Sequence, residues 1–135
     1  MSEPAPRATG HCLCEGVRYE VHGELRDVKN CHCDRCRRTT GHHMAATQTK
    51  RSALRFERND TLQWYEVDTV GYGFCNQCGS SLFWRADGLP DVISICAGTL
   101  DPPTGLRTIE VLFTSTASDY HELDPDLPSW ETEPR

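Results

Sequence analysis

Long apolar runs are missing from this sequence, and several readings fall with them. A membrane-spanning helix takes about 20 consecutive apolar residues, whereas the longest apolar patch runs only from Val92 to Ala97. The opening Met-Ser-Glu-Pro-Ala-Pro-Arg carries no apolar stretch, so no secretory signal is expected there. Apolar residues make up 37% of a chain of 135. One domain is expected, with a core small enough that a metal cross-link would add much to its stability. A basic excess is lacking too. Non-specific nucleic-acid binding rests on neutralising phosphates, so a net charge of −6 makes nucleic acid an unlikely partner. No internal repeat of useful length occurs.

With no export signal, the expected setting is the reducing cytoplasm. There, clustered cysteines serve metals more often than disulfides. The chain has eight cysteines, and seven fall into three clusters. These are Cys12-x-Cys14, Cys31-x-Cys33-x-x-Cys36 and Cys75-x-x-Cys78. Four disulfides in a secreted protein would also use eight cysteines, but a bridge across C-x-C is strained. The first and third clusters together offer four thiols, and the middle one offers three. Four thiolates close a tetrahedral zinc shell, whereas three leave a position for water or substrate. One closed structural site and one open reactive site are therefore expected. Cys14 and Cys75 stand 61 positions apart, so a shared ion would tie distant segments together. Gly79 behind Cys78 suits a tight turn whose N–H groups face sulfur.

His32 is expected to point away from the middle cluster, because neighbours in an extended chain rarely face one point. The fourth position there is open to His32, His42, His43, Cys96 or water. Cys96 sits in an apolar alternating stretch and reads as core. Lys29, Arg35, Arg37 and Arg38 surround the cluster, where they could hold an anionic ligand. Lys50, Arg51, Arg55 and Arg58 read as solvated charges. Tyr65, Tyr72 and Trp84 read as core aromatics. Asp34, Asp101 and Glu110 are possible acids or bases that no spacing places near a metal, and His42-His43 reads as an exposed pair.

Short strands dominate the remaining pattern. Val17, Tyr19 and Val21 alternate with polar residues at period two. Leu54-Arg-Phe56 and Leu62-Gln-Trp64-Tyr65 flank Asn59-Asp60, a hairpin signal. Further strands are expected over Val70–Phe74, Leu82–Trp84, Val92–Cys96 and Ile109–Phe113. One short helix is expected from Asp34 to Thr40, ended by Gly41. Residues 1–9 read as a disordered tail, 10–118 as a zinc-binding all-β domain, and 119–135 as an irregular tail that Trp130 could pin back.

Four stretches carry a family likeness: Gly10 to Tyr19 (GHCLCEGVRY), Cys31 to Gly41 (CHCDRCRRTTG), Phe74 to Ser80 (FCNQCGS) and Ala97 to Asp101 (AGTLD). Together they resemble the glutathione-dependent formaldehyde-activating enzyme family, which also includes centromere protein V. The resemblance spans about residues 10 to 113. It implies a β-tent of stacked small antiparallel sheets. It also implies two zinc ions: a structural one on Cys12, Cys14, Cys75 and Cys78, and a catalytic one on Cys31, Cys33 and Cys36. The implied activity is carbon–sulfur lyase or synthase chemistry, joining the thiol of glutathione to formaldehyde. Family members often carry a histidine and aromatic pair on the last strand, where this chain has Ile109 to Phe113. Ser or Ala is more usual than His42 after the glycine. Two other functions compete. One is a non-catalytic zinc-stabilised module for a protein or nucleic-acid partner. The other is a redox or metal-store protein built on the middle thiols.

Overall fold

The computed structural model describes residues 4–133. Eleven elements follow in order: β1 (Ala8–His11), β2 (Val17–Val21), β3 (Val28–Cys31), α1 (Asp34–Thr40), β4 (Met44–Lys50), β5 (Leu54–Asn59), β6 (Leu62–Val67), β7 (Val70–Cys75), β8 (Ser81–Ala86), β9 (Val92–Cys96) and β10 (Thr108–Leu112). Three short 3₁₀ turns join them. The strands form two sheets. A three-stranded one runs β1-β2-β5, and a seven-stranded one runs β10-β3-β4-β9-β8-β7-β6. Every strand pair is antiparallel except β10 with β3, which is parallel. The all-β class and the small antiparallel sheets of a β-tent are what the chain builds. No helix among the described residues is long and apolar enough to cross a membrane.

The period-two pattern of β2 does the work expected of it. Val17, Tyr19 and Val21 are buried while Arg18 and Glu20 are half-buried. The buried three meet Leu82, Phe83, Ile93 and Ile95 from β8 and β9, so the two sheets share one core. Tyr19 packs edge-on against Phe83, with ring centroids 5.3 Å apart. Such a pair adds about 1 kcal/mol beyond its burial. The Tyr19 hydroxyl is satisfied by Thr99 Oγ1 at 2.6 Å. A second, smaller cluster of Cys36, Met44, Ala46 and Tyr72 lies under the helix.

Two expectations change. The hairpin across Asn59-Asp60 does not form: β5 pairs with β2, and β6 pairs with β7. The turn is real, but it carries the chain from one sheet to the other. Thr61 explains why. Its hydroxyl is hydrogen-bonded to Cys75 Sγ at 3.2 Å, and Asn76 N–H donates to its carbonyl at 2.8 Å. The turn is thereby held on the Cys75 knuckle rather than on β5. The second change is at the start, where Ala8 and Thr9, expected in a tail, belong to β1. Residues 1–3 of that expected tail lie outside the described residues.

The segment after β10 is irregular but anchored. Val111 N–H donates to Pro128 O and Trp130 N–H to Val111 O, both at 3.0 Å, around a parallel bridge from Val111 to Ser129. The backbone makes this anchor, since the indole Nε1 of Trp130 is buried without a hydrogen-bond partner.

Candidate metal centres

All eight cysteines are free, and seven gather into two groups. The first comprises Cys12, Cys14, Cys75 and Cys78, whose sulfurs lie within 4.8 Å of one another. Cys12 Sγ is 3.7 Å from Cys14 Sγ, which is 3.6 Å from Cys75 Sγ. A tetrahedral zinc with Zn–S of ~2.3 Å sets sulfurs roughly 3.8 Å apart. The donor set therefore fits zinc in number, chemistry and spacing. Backbone N–H groups already face the sulfurs: Val17 to Cys12 at 3.3 Å, Gly16 to Cys14 at 3.4 Å, and Gln77 and Cys78 to Cys75 at 3.4 Å. Gly79 makes this turn possible with φ of 78°, a region where a side chain is strained. The Ser80 hydroxyl and N–H hold Cys78 down to about 5. Burial opposes ionisation of Cys75, but the Cys78 N–H, the Thr61 hydroxyl and the Gln77 N–H outweigh it and lower its pKa. The Cys75–Cys78 knuckle is thus prepared for thiolate; in the other knuckle the Gly16 N–H favours ionisation of Cys14, but the Cys75 thiol and burial outweigh it and push Cys14 up to about 11.

The second group is Cys31, Cys33 and Cys36, again with sulfurs within 4.8 Å. Two elements converge on it. Cys31 ends β3, Cys33 caps α1, and Cys36 lies in its first turn. The extended conformation of Cys33 (φ −60°, ψ 157°) turns its sulfur back to accept the Cys36 N–H at 3.3 Å. Gly41, with φ of 81°, ends the helix where expected. Cys33 is the thiolate of the trio. Hydrogen bonds from the Cys31 and Cys36 thiols, then the Cys36 and Arg35 N–H groups, hold it down to about 2. Sharing with Cys33 pushes Cys31 up to about 11. The hydrogen bonds to Cys31 and Cys33, then burial, push Cys36 up as well. An all-sulfur donor set of this kind suits zinc. Among the described residues, no fourth ligand atom joins the group.

The trio opens into a cleft of about 360 Å³. Arg26, Lys29 and Arg35 line it, as do Tyr72, Trp84 and Met44. Of the three arginines expected to meet an anion, only Arg35 is there. It also pairs with Asp68. Arg37 and Arg38 instead bond Asp34, at 2.8 and 3.0 Å. Lys29, also expected there, does line the cleft, and Arg26 takes the place of the other two. Burial lowers the pKa of Arg26, which also donates to Ala46 O at 3.0 Å. Lys29 stands 3.5 Å from Glu110. Arg26 is far from the cysteines in any sequence motif and gave no signal. Tyr72 and Trp84 are not simply core, for both face the cleft, and the Tyr72 hydroxyl lies 3.7 Å from Cys36 Sγ. Burial, then Cys36, raises the pKa of Tyr72, so it stays protonated. Tyr65 is 60% exposed and belongs to neither core nor cleft. Cys96 packs against the trio's cluster without joining it, and burial pushes it up to about 12. Asp101 accepts from the Thr9 hydroxyl at 2.7 Å.

His32 does turn away from the trio. It is buried, and with the half-buried His43 and His121 it forms a third group of ligand atoms within 4.8 Å. His42 and His43 are half-buried rather than exposed. No spacing pattern pointed to His121.

Three comparisons bear on kinship. No curated protein matches the sequence. The crystal structure of a Rhodobacter sphaeroides protein, a structural genomics target, is similar with a TM-score of 0.61 and 28% identity. The match covers 74% of this chain and 97% of that one. The family model described as glutathione-dependent formaldehyde-activating enzyme matches residues 7–116. That range includes both sulfur groups and the whole cleft wall up to β10, and the chain belongs to the glutathione-dependent formaldehyde-activating enzyme family.

Proposed function

We propose that this protein is a carbon–sulfur lyase or synthase acting on the thiol adduct of a small aldehyde, with glutathione and formaldehyde as the model pair. The observation that carries the reading is the three-sulfur group in a cleft lined by Arg26, Lys29, Arg35 and Glu133, with no fourth ligand among the described residues. Cys12, Cys14, Cys75 and Cys78 would hold a structural zinc, and Cys31, Cys33 and Cys36 a second one. When bound at the second site, zinc supplies a mild Lewis acid able to favour the thiolate form of an incoming thiol.

The chain's own groups do the remaining work. Arg26, Lys29 and Arg35 set a positive rim that suits the carboxylates of a glutathione-like peptide. Trp84 and Met44 supply apolar walls that limit water. In the forward direction, sulfur bonds to the carbonyl carbon. The carbonyl π pair moves to oxygen, which takes up the proton the thiol has lost. Tyr72, protonated and 3.7 Å from Cys36 Sγ, would hydrogen-bond that oxygen as charge builds on it and keep its own proton. The free state of all eight cysteines agrees with a reducing cytoplasm as the working compartment.

Exchange NMR between glutathione and its hydroxymethyl adduct tests this. Zinc-loaded protein should accelerate the exchange, and Cys33→Ser should remove the acceleration while leaving the fold in place. A rate equal to the protein-free rate, with two zincs bound, would overturn the reading.

A further inference from the structure

Four of the chain's six histidines converge on the far side of the Cys31–Cys36 loop, and neither sulfur group uses them. His32 comes from between Cys31 and Cys33, His42 and His43 precede β4, and His121 comes from the C-terminal segment. The ring of His32 lies 4.7 Å from that of His43 and 5.4 Å from that of His121, centroid to centroid. His42 stands 4.3 Å from His43 and 4.6 Å from His121. Nδ1 of His43 is buried with no hydrogen-bond partner, which normally costs about 1–3 kcal/mol. A group that accepts several imidazole lone pairs at once would remove that cost.

We propose that His32, His43 and His121 form a third metal site, for a borderline divalent cation such as zinc, cobalt or nickel. One ligand nitrogen from each lies within 4.8 Å of the others. Zinc at ~2.0–2.1 Å from each draws three nitrogens to roughly 3.4 Å apart, a change that ring rotations supply. Imidazole is the donor these cations share. His42 stands beside the three as a fourth ligand, or the position goes to water. Carboxylates are absent from the group, which disfavours calcium and magnesium. The ion would fasten the C-terminal segment to the back of the loop that carries Cys31 and Cys33. Thr116 already makes that connection once, its hydroxyl donating to His32 O at 2.8 Å. The site would therefore act on the cleft by positioning, not by touching substrate.

The experiment uses the full chain with its sulfur sites already filled with zinc, titrated with cobalt(II). One further equivalent should bind, giving weak visible d–d bands. The strong near-ultraviolet charge-transfer band of cobalt bound to thiolate should not grow. A His43→Gln/His121→Gln variant should keep its sulfur-bound zinc and lose the extra equivalent. His121→Gln alone lies in an irregular segment that carries no core residue, and it should weaken binding at least about tenfold, since even an outer-shell partner is worth that much. The proposal fails if wild type takes up no cobalt, if uptake brings the thiolate band, or if the double variant binds as wild type does.

Discussion

The two sulfur groups hold the same element in different relations to the chain. The four-thiol group joins segments 61 residues apart, at the place where β5 and β6 part for different sheets. The three-thiol group lies within six residues, on a strand end and the first turn of the helix. Closing a long loop is what an unfolded chain resists, so an ion at the first place constrains the whole fold. An ion at the second constrains one turn that its own hydrogen bonds already shape. On the proposed reading, distance along the chain would separate a metal that folds the protein from one left free to bind something else.

The most severe way to break this contrast is to remove one sulfur from each group. Cys12→Ser should unfold most of the domain, because a structural zinc contributes on the order of 10 kcal/mol, comparable with the whole stability of a small domain. Circular dichroism would show it. Cys33→Ser should keep the native spectrum, lose one zinc by elemental analysis, and lose at least about 100-fold in thiol–aldehyde turnover. Equal unfolding of the two variants would erase the distinction. A finer cut is Tyr72→Phe. Removing one donated hydrogen bond should lower kcat about tenfold, with zinc content and KM unchanged. A changed zinc content would instead make Tyr72 a support of the metal.

Mild acid gives the smallest effect, and it should act on one region only. Burial, then His32, His42 and His121, hold His43 down to about 4, while an unfolded histidine titrates near 6.5. Between these values the unfolded chain binds a proton that the folded chain does not, so stability falls as pH drops from 6.5 to 4. Without added divalent metal, wild type should lose on the order of 1 kcal/mol more than His43→Gln across that window. Urea unfolding at several pH values measures the difference, and parallel profiles would contradict it.

The four-thiol group was legible because both its knuckles are local and only their pairing is long-range. β2 was legible for the same reason, since alternation records burial residue by residue. So was α1, whose C-cap glycine follows directly on the helix. The failed hairpin shows the limit of local signals. Asn59-Asp60 describes a turn correctly, but the partner of each flanking strand was decided by Thr61 and Cys75, across the fold. The cleft was legible only in its floor. Arg26 and Tyr72 reach it through strand pairing, which spacing does not encode. His121 meets His32 in a segment tied to the His32 carbonyl by Thr116 and, further on, laid along β10 by residues 128–130.

That last pairing has a consequence for association between molecules. β10 is the outer strand of the seven-stranded sheet, and residues 128–130 cover part of its free side. A chain ending at residue 127 would bare that row of N–H and C=O groups, an open template for strands of other copies. Light scattering of such a truncation against the full chain would reveal self-association, so the proline-rich tail acts as the guard of an otherwise sticky border.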